Sequence, residues 1–295
     1  MKKLLFIFNP LSGKAQIKNK LLAIIDLMVK AEYEVTVYPT QSRSDARGVA
    51  RERAGSYDLV VCSGGDGTLD EVVSGMVECP RRIPLGYIPA GSTNDFANSL
   101  KIPKDMEKAA KIALEGRKFS CDVGKFNDKT FVYVAAFGIF TEVSYSTKQE
   151  WKNILGHAAY LLEGAKSLHG IESYHMRVEH DEQIIEGEFI FGMITNSNSV
   201  GGFKNMTGKN VELDDGLFEV TLIHMPKNPV ELNEILASLT NLIDDTDLIH
   251  SFKSSQVSFL SEEEVPWTLD GEFGGNTREV TVRNEQRALD IMVKN

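Results

Sequence analysis

Residues 64–68 read Gly-Gly-Asp-Gly-Thr, a glycine-rich turn between the apolar run 57–63 and a predicted helix over 69–76. Glycines at the end of a strand let backbone N–H groups approach a phosphate without Cβ clashes, and the dipole of the following helix favours an anion. Asp66, in the middle of the turn, could orient a ribose or hold a metal-bound phosphate through water. The spacing fits neither common phosphate-loop pattern, so an ordinary βα turn is the alternative.

Two further polar turns have the same placement. Residues 9–14 (Asn-Pro-Leu-Ser-Gly-Lys) follow the first apolar segment and make Lys14 available to a phosphate. Residues 91–95 (Gly-Ser-Thr-Asn-Asp) lie between a predicted strand and a predicted helix, where Ser92 or Thr93 could instead be a helix N-cap. Capping is compatible with ligand binding. Three such turns, after strands one, three and four of one sheet, indicate a nucleotide site.

The second half of the chain offers carboxylates at Asp-Gly turns. Such a dipeptide is usually only a hairpin turn, which is the alternative for each one taken alone. Asp270 and Glu272 flank a glycine at a strand end, where a carboxylate could accept a proton from a substrate hydroxyl as a general base. Asp215, with nearby backbone carbonyls, could hold a hard cation through oxygen ligands.

The elements that must position these residues alternate in the first part of the chain. Apolar patterns predict strands over 3–8, 34–38, 58–62 and 83–88, and helices over 17–29, 44–53, 69–76 and 105–115. This order predicts an α/β fold whose N-terminal domain is Rossmann-like, with a doubly wound parallel sheet and helices on both faces. Ligands of such sheets bind beyond the carboxyl ends of the strands.

After about residue 120 short strands dominate. They are predicted over 131–137, 174–179, 187–195, 218–224, 256–260, 265–269, 279–283 and 289–293, with helical stretches only around 149–168 and 230–250. We therefore predict a C-terminal β-sandwich domain. The expected boundaries are 1–123 for the nucleotide-binding domain and 124–295 for the second, and a cleft between the domains is the default ligand site.

Composition excludes some classes of function. The chain has 295 residues and a formal net charge of −10, which argues against a nucleic-acid partner and against binding to anionic membranes by overall charge. Three cysteines without metal-ligand spacing fit a reducing compartment. The apolar N-terminal run stops at residue 9, too early for a signal peptide, and no segment is long enough for a membrane span, so we expect a cytoplasmic protein.

With these clusters identified, the chain resembles the diacylglycerol kinase catalytic-domain family, and within it the soluble bacterial lipid kinases. The matching segments follow the family's order along most of the chain: 9–13, 64–68, 84–97, 122–124 (Asp-Val-Gly), 201–202 (Gly-Gly), 214–216 (Asp-Asp-Gly) and 270–272 (Asp-Gly-Glu). Each segment alone is unspecific, whereas their combination is highly specific. The resemblance implies ATP in the interdomain cleft and transfer of its γ-phosphoryl group to the hydroxyl of a lipid such as diacylglycerol.

The resemblance also implies roles for particular residues. Glu272 would be the proton acceptor, with Asp270 as the second catalytic candidate. A structural Mg²⁺ would be held by the Asp215 side chain with the Glu212 and Leu217 carbonyls, and a second Mg²⁺ would accompany ATP. The candidate nucleotide-binding residues are Asn9, Ser12, Gly13, Lys14, Thr40, Gly64, Gly65, Asp66, Gly67, Thr68, Gly91, Thr93, Asn94 and Asp95.

The chain departs from the family pattern at four site positions, which hold Lys14, Asp70 (commonly Asn), Ser92 (commonly Thr) and Thr141 (frequently acidic). Two other functions stay open: a kinase of a soluble substrate, such as an NAD kinase, and a non-catalytic nucleotide-binding regulator. The expected partner is a lipid at the inner face of the plasma membrane, reached by peripheral contact. Lys166 could contact a lipid headgroup, with a surface lysine as the alternative. The sequence leaves the lipid and a homodimer undetermined.

Overall fold

The computed structural model describes residues 1–13, 15–139, 141, 171–197, 211–239 and 246–295. The chain forms two compact units. The first comprises Met1–Val123, Leu213–Asp215 and Glu285–Asn295, and the second comprises Gly124–Glu212 and Gly216–Asn284. Among the described residues, no helix has the length and apolar character needed to cross a membrane. The expected helix over 149–168, the Gly-Gly pair at 201–202 and Lys166 lie outside the described residues.

The first unit alternates strands and helices as predicted. Its strands are β1 (Lys2–Phe8), β2 (Tyr33–Pro39), β3 (Leu59–Gly64) and β4 (Leu85–Pro89). Its helices are α1 (Ile17–Lys30), α2 (Asp45–Arg53), α3 (Asp66–Glu78), α4 (Asp95–Ser99) and α5 (Met106–Glu115). The strands pair in the order β2-β1-β3-β4, all parallel, which confirms the predicted sheet. The order reverses between β1 and β3, the position where such sheets bind ligands.

Burial explains why these strands read as continuous apolar runs. Every residue of β3 and of β4 is buried, as is β1 from Leu4 onward, because helices cover both faces of a parallel sheet. Helix α1 packs against α5, and α2 packs against α3. The α2–α3 contact is close: a Cβ added at Gly75 would lie 2.3 Å from the Arg47 carbonyl oxygen.

The second unit is built from antiparallel strands. They are β5 (Arg117–Phe126, which begins in the first unit), β6 (Lys129–Phe131), β7 (Val134–Gly138), β8 (Tyr174–His180), β9 (Gln183–Thr195), β10 (Phe218–His224), β11 (Ile249–Ser254), β12 (Gln256–Leu269) and β13 (Glu272–Val293, which ends in the first unit). One described helix, α6, spans Pro229–Leu239. Strand β9 pairs with β7, β8 and β10, and β12 pairs with β7, β8 and β13.

Trp267 lies at the centre of the core of the second unit. It is 1% exposed, and its ring meets those of Phe126, Phe137 and Phe259 edge-on at centroid distances of 5.0, 4.9 and 5.2 Å. Such aromatic contacts add about 0.5–1.5 kcal/mol each to the burial of apolar area. Trp267 is therefore a packing residue of this core.

Several predicted boundaries differ from the structure. The short strands predicted at 256–260 and 265–269 are parts of β12, which continues through a register shift between Leu260 and Val265. The strands predicted at 279–283 and 289–293 are parts of the single strand β13. The helix predicted over 230–250 was too long, because residues 249–254 form β11 and pair with β10. Helical and strand periodicities are hard to separate in short apolar runs.

Candidate functional site

The polar turns of the first unit meet at one edge of its sheet. Since β1 to β4 are parallel, the residues that follow each strand lie at the same edge, and Asn9, Thr40, 64–68 and 91–95 all do so. Backbone hydrogen bonds join the turns to neighbouring strands: Asn9 N to Ser63 O at 2.9 Å, Thr40 N to Phe8 O at 2.9 Å and Ala90 N to Gly64 O at 2.8 Å. The structure thus brings together the predicted nucleotide residues, except Lys14, which lies outside the described residues.

The glycine-rich turn is shorter than the sequence pattern suggested. Gly64 is the last residue of β3, Gly65 occupies the N-cap position, and Asp66 already begins α3. Residues 66–68 therefore form the first turn of the helix, where backbone N–H groups have no intrahelical acceptor and can bind an anion. Gly64 allows this tight passage, because a Cβ there would lie 2.4 Å from the Cβ of Thr68.

The turn after β1 contacts the glycine-rich turn directly. The Asn9 side chain donates from Nδ2 to the Thr68 hydroxyl at 3.3 Å, and its Oδ1 accepts the Leu11 N–H at 2.9 Å. The Ser12 hydroxyl accepts the Gly65 N–H at 3.3 Å. Asn9 and Ser12 thereby fix the first turn of α3 from the side of β1.

Asn94 organises the turn after β4. Its Oδ1 accepts the Gly91 N–H at 2.9 Å, and its Nδ2 donates to the Gly91 carbonyl at 2.7 Å. The Asn94 N–H in turn donates to Asp66 Oδ2 at 2.8 Å. One oxygen of Asp66 thus holds the neighbouring turn. The two turns also touch through their backbones, since a Cβ at Gly91 would lie 2.6 Å from the Cα of Gly65.

The turns after β1 and β4 also contact each other. Asn94, with φ +56°, occupies the N-cap position of α4, so neither Ser92 nor Thr93 caps that helix. Asp95 is buried as the first residue of α4. Gly13 adopts φ +56°, and a Cβ there would lie 2.2 Å from the Ala90 carbonyl oxygen. The turn after β1 therefore packs on the turn after β4 as closely as backbone atoms allow.

Neutral groups lie beneath the turns. The Tyr87 hydroxyl donates to the Gly64 carbonyl at 3.1 Å, and burial, aided by the Asp66 carboxylate, raises the pKa of this phenol well above its usual value. Burial likewise raises the pKa of the Cys62 thiol, so that it stays protonated. The edge of the sheet therefore presents backbone N–H groups and polar side chains above Tyr87 and Cys62, which are both uncharged.

In the second unit, Asp270 and Gly271 form the hairpin between β12 and β13. Their φ values are +49° and +82°, and Leu269 pairs with Glu272 across the turn, which describes a type I′ turn. The hairpin interpretation of this Asp-Gly pair is therefore correct. Glu272, the residue directly after this turn, is exposed.

The Asp270 carboxylate has a second role within the same unit. It is 4% exposed and accepts three consecutive backbone N–H groups, from Val132 at 2.5 Å and from Tyr133 and Val134 at 2.9 Å each. The sequence did not predict these contacts, because nothing in the pattern of residues 132–134 indicates a partner so distant in the chain. The two catalytic candidates thus differ in environment: Asp270 is a buried anchor, and Glu272 faces solvent.

The candidate metal ligands lie on one short stretch, in which Glu212 is exposed and Asp215 half-buried. Its middle is anchored within the first unit: the Leu213 carbonyl accepts the N–H of fully buried Asp122 at 2.8 Å. The described residues include no cluster of three or more His, Cys, Asp or Glu suited to a metal. A carboxylate with two backbone carbonyls is an all-oxygen donor set, which fits Mg²⁺ or Ca²⁺.

Comparison with known proteins places these features in a family. The model of the diacylglycerol kinase catalytic domain matches residues 3–126, and that of the YegS C-terminal NAD kinase beta sandwich-like domain matches residues 134–293. The diacylglycerol kinase of Staphylococcus carnosus (strain TM300) is 37% identical over 278 residues, covering 93% of this chain and 90% of the relative. That of Staphylococcus aureus (strain MRSA252) is 35% identical over 298 residues, covering 100% and 93%.

Solved structures agree with the sequence comparison. A crystal structure of a protein from Bacillus anthracis str. Sterne superposes with a TM-score of 0.82 at 26% identity, covering 99% of this chain and 97% of that chain. The α/β first unit and the β-sandwich-like second unit are therefore shared along the whole chain. The chain belongs to the diacylglycerol kinase family of kinases.

Proposed function

We propose that the protein is an ATP-dependent lipid kinase, which transfers the γ-phosphoryl group of ATP to the hydroxyl of a lipid such as diacylglycerol. The observation that carries this proposal is the convergence of three polar turns at one sheet edge, with the Gly65 and Gly91 backbones in contact. A site of this kind binds a polyphosphate through backbone N–H groups. The named activity of the Staphylococcus relatives supports the choice of reaction.

The nucleotide would be bound by the residues of the first unit. Phosphoryl transfer requires positioning and charge neutralisation more than covalent chemistry. The first-turn N–H groups of α3, at 66–68, would neutralise phosphate oxygens, while Asn9 and Ser12 keep that turn in place. Thr40 and Thr93 lie at the same sheet edge and would contact the rest of the nucleotide, and Lys14 would add a positive charge.

Glu272 would accept the proton of the lipid hydroxyl. As this proton moves to the carboxylate, the hydroxyl oxygen forms a bond to the γ-phosphorus and the bond from that phosphorus to the bridging oxygen of ADP breaks. Glu272 follows directly on the type I′ turn that Asp270 anchors, so its position is set by the buried hydrogen bonds of Asp270. A general base contributes about 10²–10⁴-fold to the rate.

Two magnesium ions complete the proposal. When bound, Mg²⁺ neutralises the phosphates of ATP, and a second, structural ion would be held by the Asp215 carboxylate with the Glu212 and Leu217 carbonyls. We also propose peripheral contact with the cytoplasmic face of a membrane, because the acceptor is a lipid and ATP is supplied on that side.

A second candidate is a kinase of a soluble substrate. The model that matches residues 134–293 is described as NAD kinase beta sandwich-like, which favours NAD as the alternative acceptor. A regulator that binds a nucleotide without turning it over would need no general base, and the exposed carboxylate of Glu272 speaks against it.

The test is ADP release from ATP and Mg²⁺, with mixed micelles of diacylglycerol, phosphatidylglycerol, a sphingoid base or a polyprenol compared with NAD. We expect release with one lipid, and a kcat lowered about 10²–10⁴-fold by Glu272→Gln. Glu263→Gln, at an exposed position of β12, is the matched control and should be neutral. Release with NAD alone would transfer the protein to the soluble-substrate class, and ATP binding without release would favour a regulator.

A further inference from the structure

The peptide group between Tyr133 and Val134 is held at both of its polar atoms. Its carbonyl oxygen accepts the Thr195 hydroxyl at 2.7 Å and the Asn196 N–H at 3.0 Å. Its N–H donates to Asp270 Oδ1 at 2.9 Å. Because a trans peptide is planar and its C=O and N–H point in opposite directions, fixing the carbonyl also fixes the direction of the N–H.

Thr195 is suited to orient the Tyr133–Val134 peptide group. It is the last residue of β9, lies opposite Val134 in the pairing with β7, and is fully buried. A β-branched side chain has few χ1 rotamers, so its hydroxyl is held in one direction at low entropic cost. Valine would fill the same space without the donor. The hydroxyl therefore contributes a directed hydrogen bond inside the core.

The effect reaches the hairpin through Asp270. The Asp270 N–H donates to the Val134 carbonyl at 2.8 Å, while the Val134 N–H donates to the Asp270 carboxylate, so the two residues bind each other reciprocally. Asp270 is also the first residue of the type I′ turn, directly before Gly271 and Glu272. An ordered path of hydrogen bonds thus runs from the Thr195 hydroxyl to the backbone that carries Glu272.

We propose that Thr195 is a positioning residue for phosphoryl transfer: its hydroxyl orients the Tyr133–Val134 peptide and, through Asp270, holds the hairpin that presents Glu272. The proposal rests on the proposed function, in which Glu272 accepts the proton of the acceptor hydroxyl. A positioning role predicts a loss in kcat with little change in the KM for ATP. A merely structural role predicts lower stability with both kinetic constants retained.

The kinetic test uses two substitutions at one site. Thr195→Val removes the hydroxyl and keeps the shape, whereas Thr195→Ser keeps the hydroxyl. The loss of one buried hydrogen bond corresponds to a fall in kcat of about tenfold for Thr195→Val, and the Ser variant should recover most of it. Thr221→Val, at a buried position of β10, is the matched control and should leave kcat unchanged. Equal losses in the Val and Ser variants would overturn the proposal.

Amide hydrogen exchange tests the same contact without turnover. In Thr195→Val, the amides of Val134 and Asp270 should exchange about tenfold faster, since the Tyr133–Val134 peptide loses one hydrogen bond and the Asp270 N–H is bonded to the Val134 carbonyl. Thr221→Val should leave these two rates unchanged. The inference is overturned if the Val134 and Asp270 amides of Thr195→Val exchange at unchanged rates. It is also overturned if they exchange faster while the kcat of Thr195→Val stays normal. Absence of lipid-dependent turnover in the unsubstituted protein instead overturns the proposed function, a distinguishable failure.

Discussion

The contact between the Gly65 and Gly91 backbones gives an asymmetric prediction. A Cβ at Gly91 would lie 2.6 Å from the Cα of Gly65 and 2.8 Å from Asn94 Oδ1. A Cβ at Gly65 would lie 3.3 Å from the Cα of Gly91. Neither glycine has φ in the left-handed region, so alanine is conformationally allowed at both positions and only the contact distinguishes them. We expect Gly91→Ala to impair the nucleotide site and Gly65→Ala to be tolerated.

The magnitude follows from the distances. Carbon atoms pack comfortably from about 3.4–3.5 Å, so the two turns must separate by about 0.8 Å in Gly91→Ala but by only about 0.1–0.2 Å in Gly65→Ala. A displacement near 1 Å in an active site can lower the rate about 10²-fold. The first turn of α3 would move relative to the turn after β4. We therefore expect kcat/KM for ATP to fall about 10- to 100-fold in Gly91→Ala and less than about threefold in Gly65→Ala.

The assay is a titration of ATP at saturating lipid, with nucleotide affinity measured in parallel by calorimetry. Thermal melts show whether each variant is folded, and the comparison is made below the lower melting temperature. Equal losses in the two variants would refute the reasoning, because the distances differ by 0.7 Å while the substitution is the same. Normal affinity and turnover in Gly91→Ala would show that this contact does not set the nucleotide site.

The structure makes two further predictions. Gly75→Ala should lower the free energy of unfolding by about 1–3 kcal/mol, because the added Cβ would clash with the Arg47 carbonyl oxygen. Gly48→Ala in α2 should instead raise it by about 0.5–1 kcal/mol, because no atom lies within 4 Å of the added Cβ. Urea unfolding measures both free energies, and a change in the same direction in the two variants would contradict this packing. His224 and His250 face each other with Nε2 atoms 2.9 Å apart, and burial, chiefly, lowers both pKa values. Below pH 6.5, which is about the pKa of histidine in the unfolded chain, the unfolded chain binds more protons than the folded protein does. The stability that depends on neutral His224 and His250 is therefore present above pH 6.5 and is lost as the pH falls through their lower pKa values in the folded protein. Unfolding free energies from pH 7.5 to 5 should therefore fall less in the double Gln variant than in the unsubstituted protein, and equal slopes would contradict this.

The sheet edge of the first unit at which the polar turns meet was predictable because each part of it is local in sequence. A buried strand followed by a glycine turn and a helix can be recognised within about fifteen residues, and parallel pairing then puts every such turn on one edge. The glycines at 64 and 91 occur where neighbouring atoms leave no room for a Cβ, which would lie 2.4 Å from the Thr68 Cβ and 2.6 Å from the Gly65 Cα, respectively. Even the start of α3 differed from the expectation by only three residues.

Long-range partners could not be predicted in this way. Asp66 binds the N–H of Asn94, and Asp270 binds the N–H groups of 132–134, which are about 28 and 137 positions away. Thr195 reads as one more β-branched strand residue, because its hydroxyl partner lies on another strand. Residues Glu285–Asn295 return to the first unit, although a chain examined in consecutive segments gives no sign of this return.

The Asp-Gly pair at 270–271 shows why the plain and the functional interpretations of a motif need not compete. A type I′ turn requires positive φ at both positions, and Asn tolerates that conformation at least as well as Asp. Turn formation alone therefore cannot explain a carboxylate at position 270. The three N–H groups of residues 132–134 can, because they need acceptors on both oxygens and an amide would set its NH₂ against one of them. The hairpin thus accounts for Gly271, and the buried carboxylate accounts for how Glu272 is held.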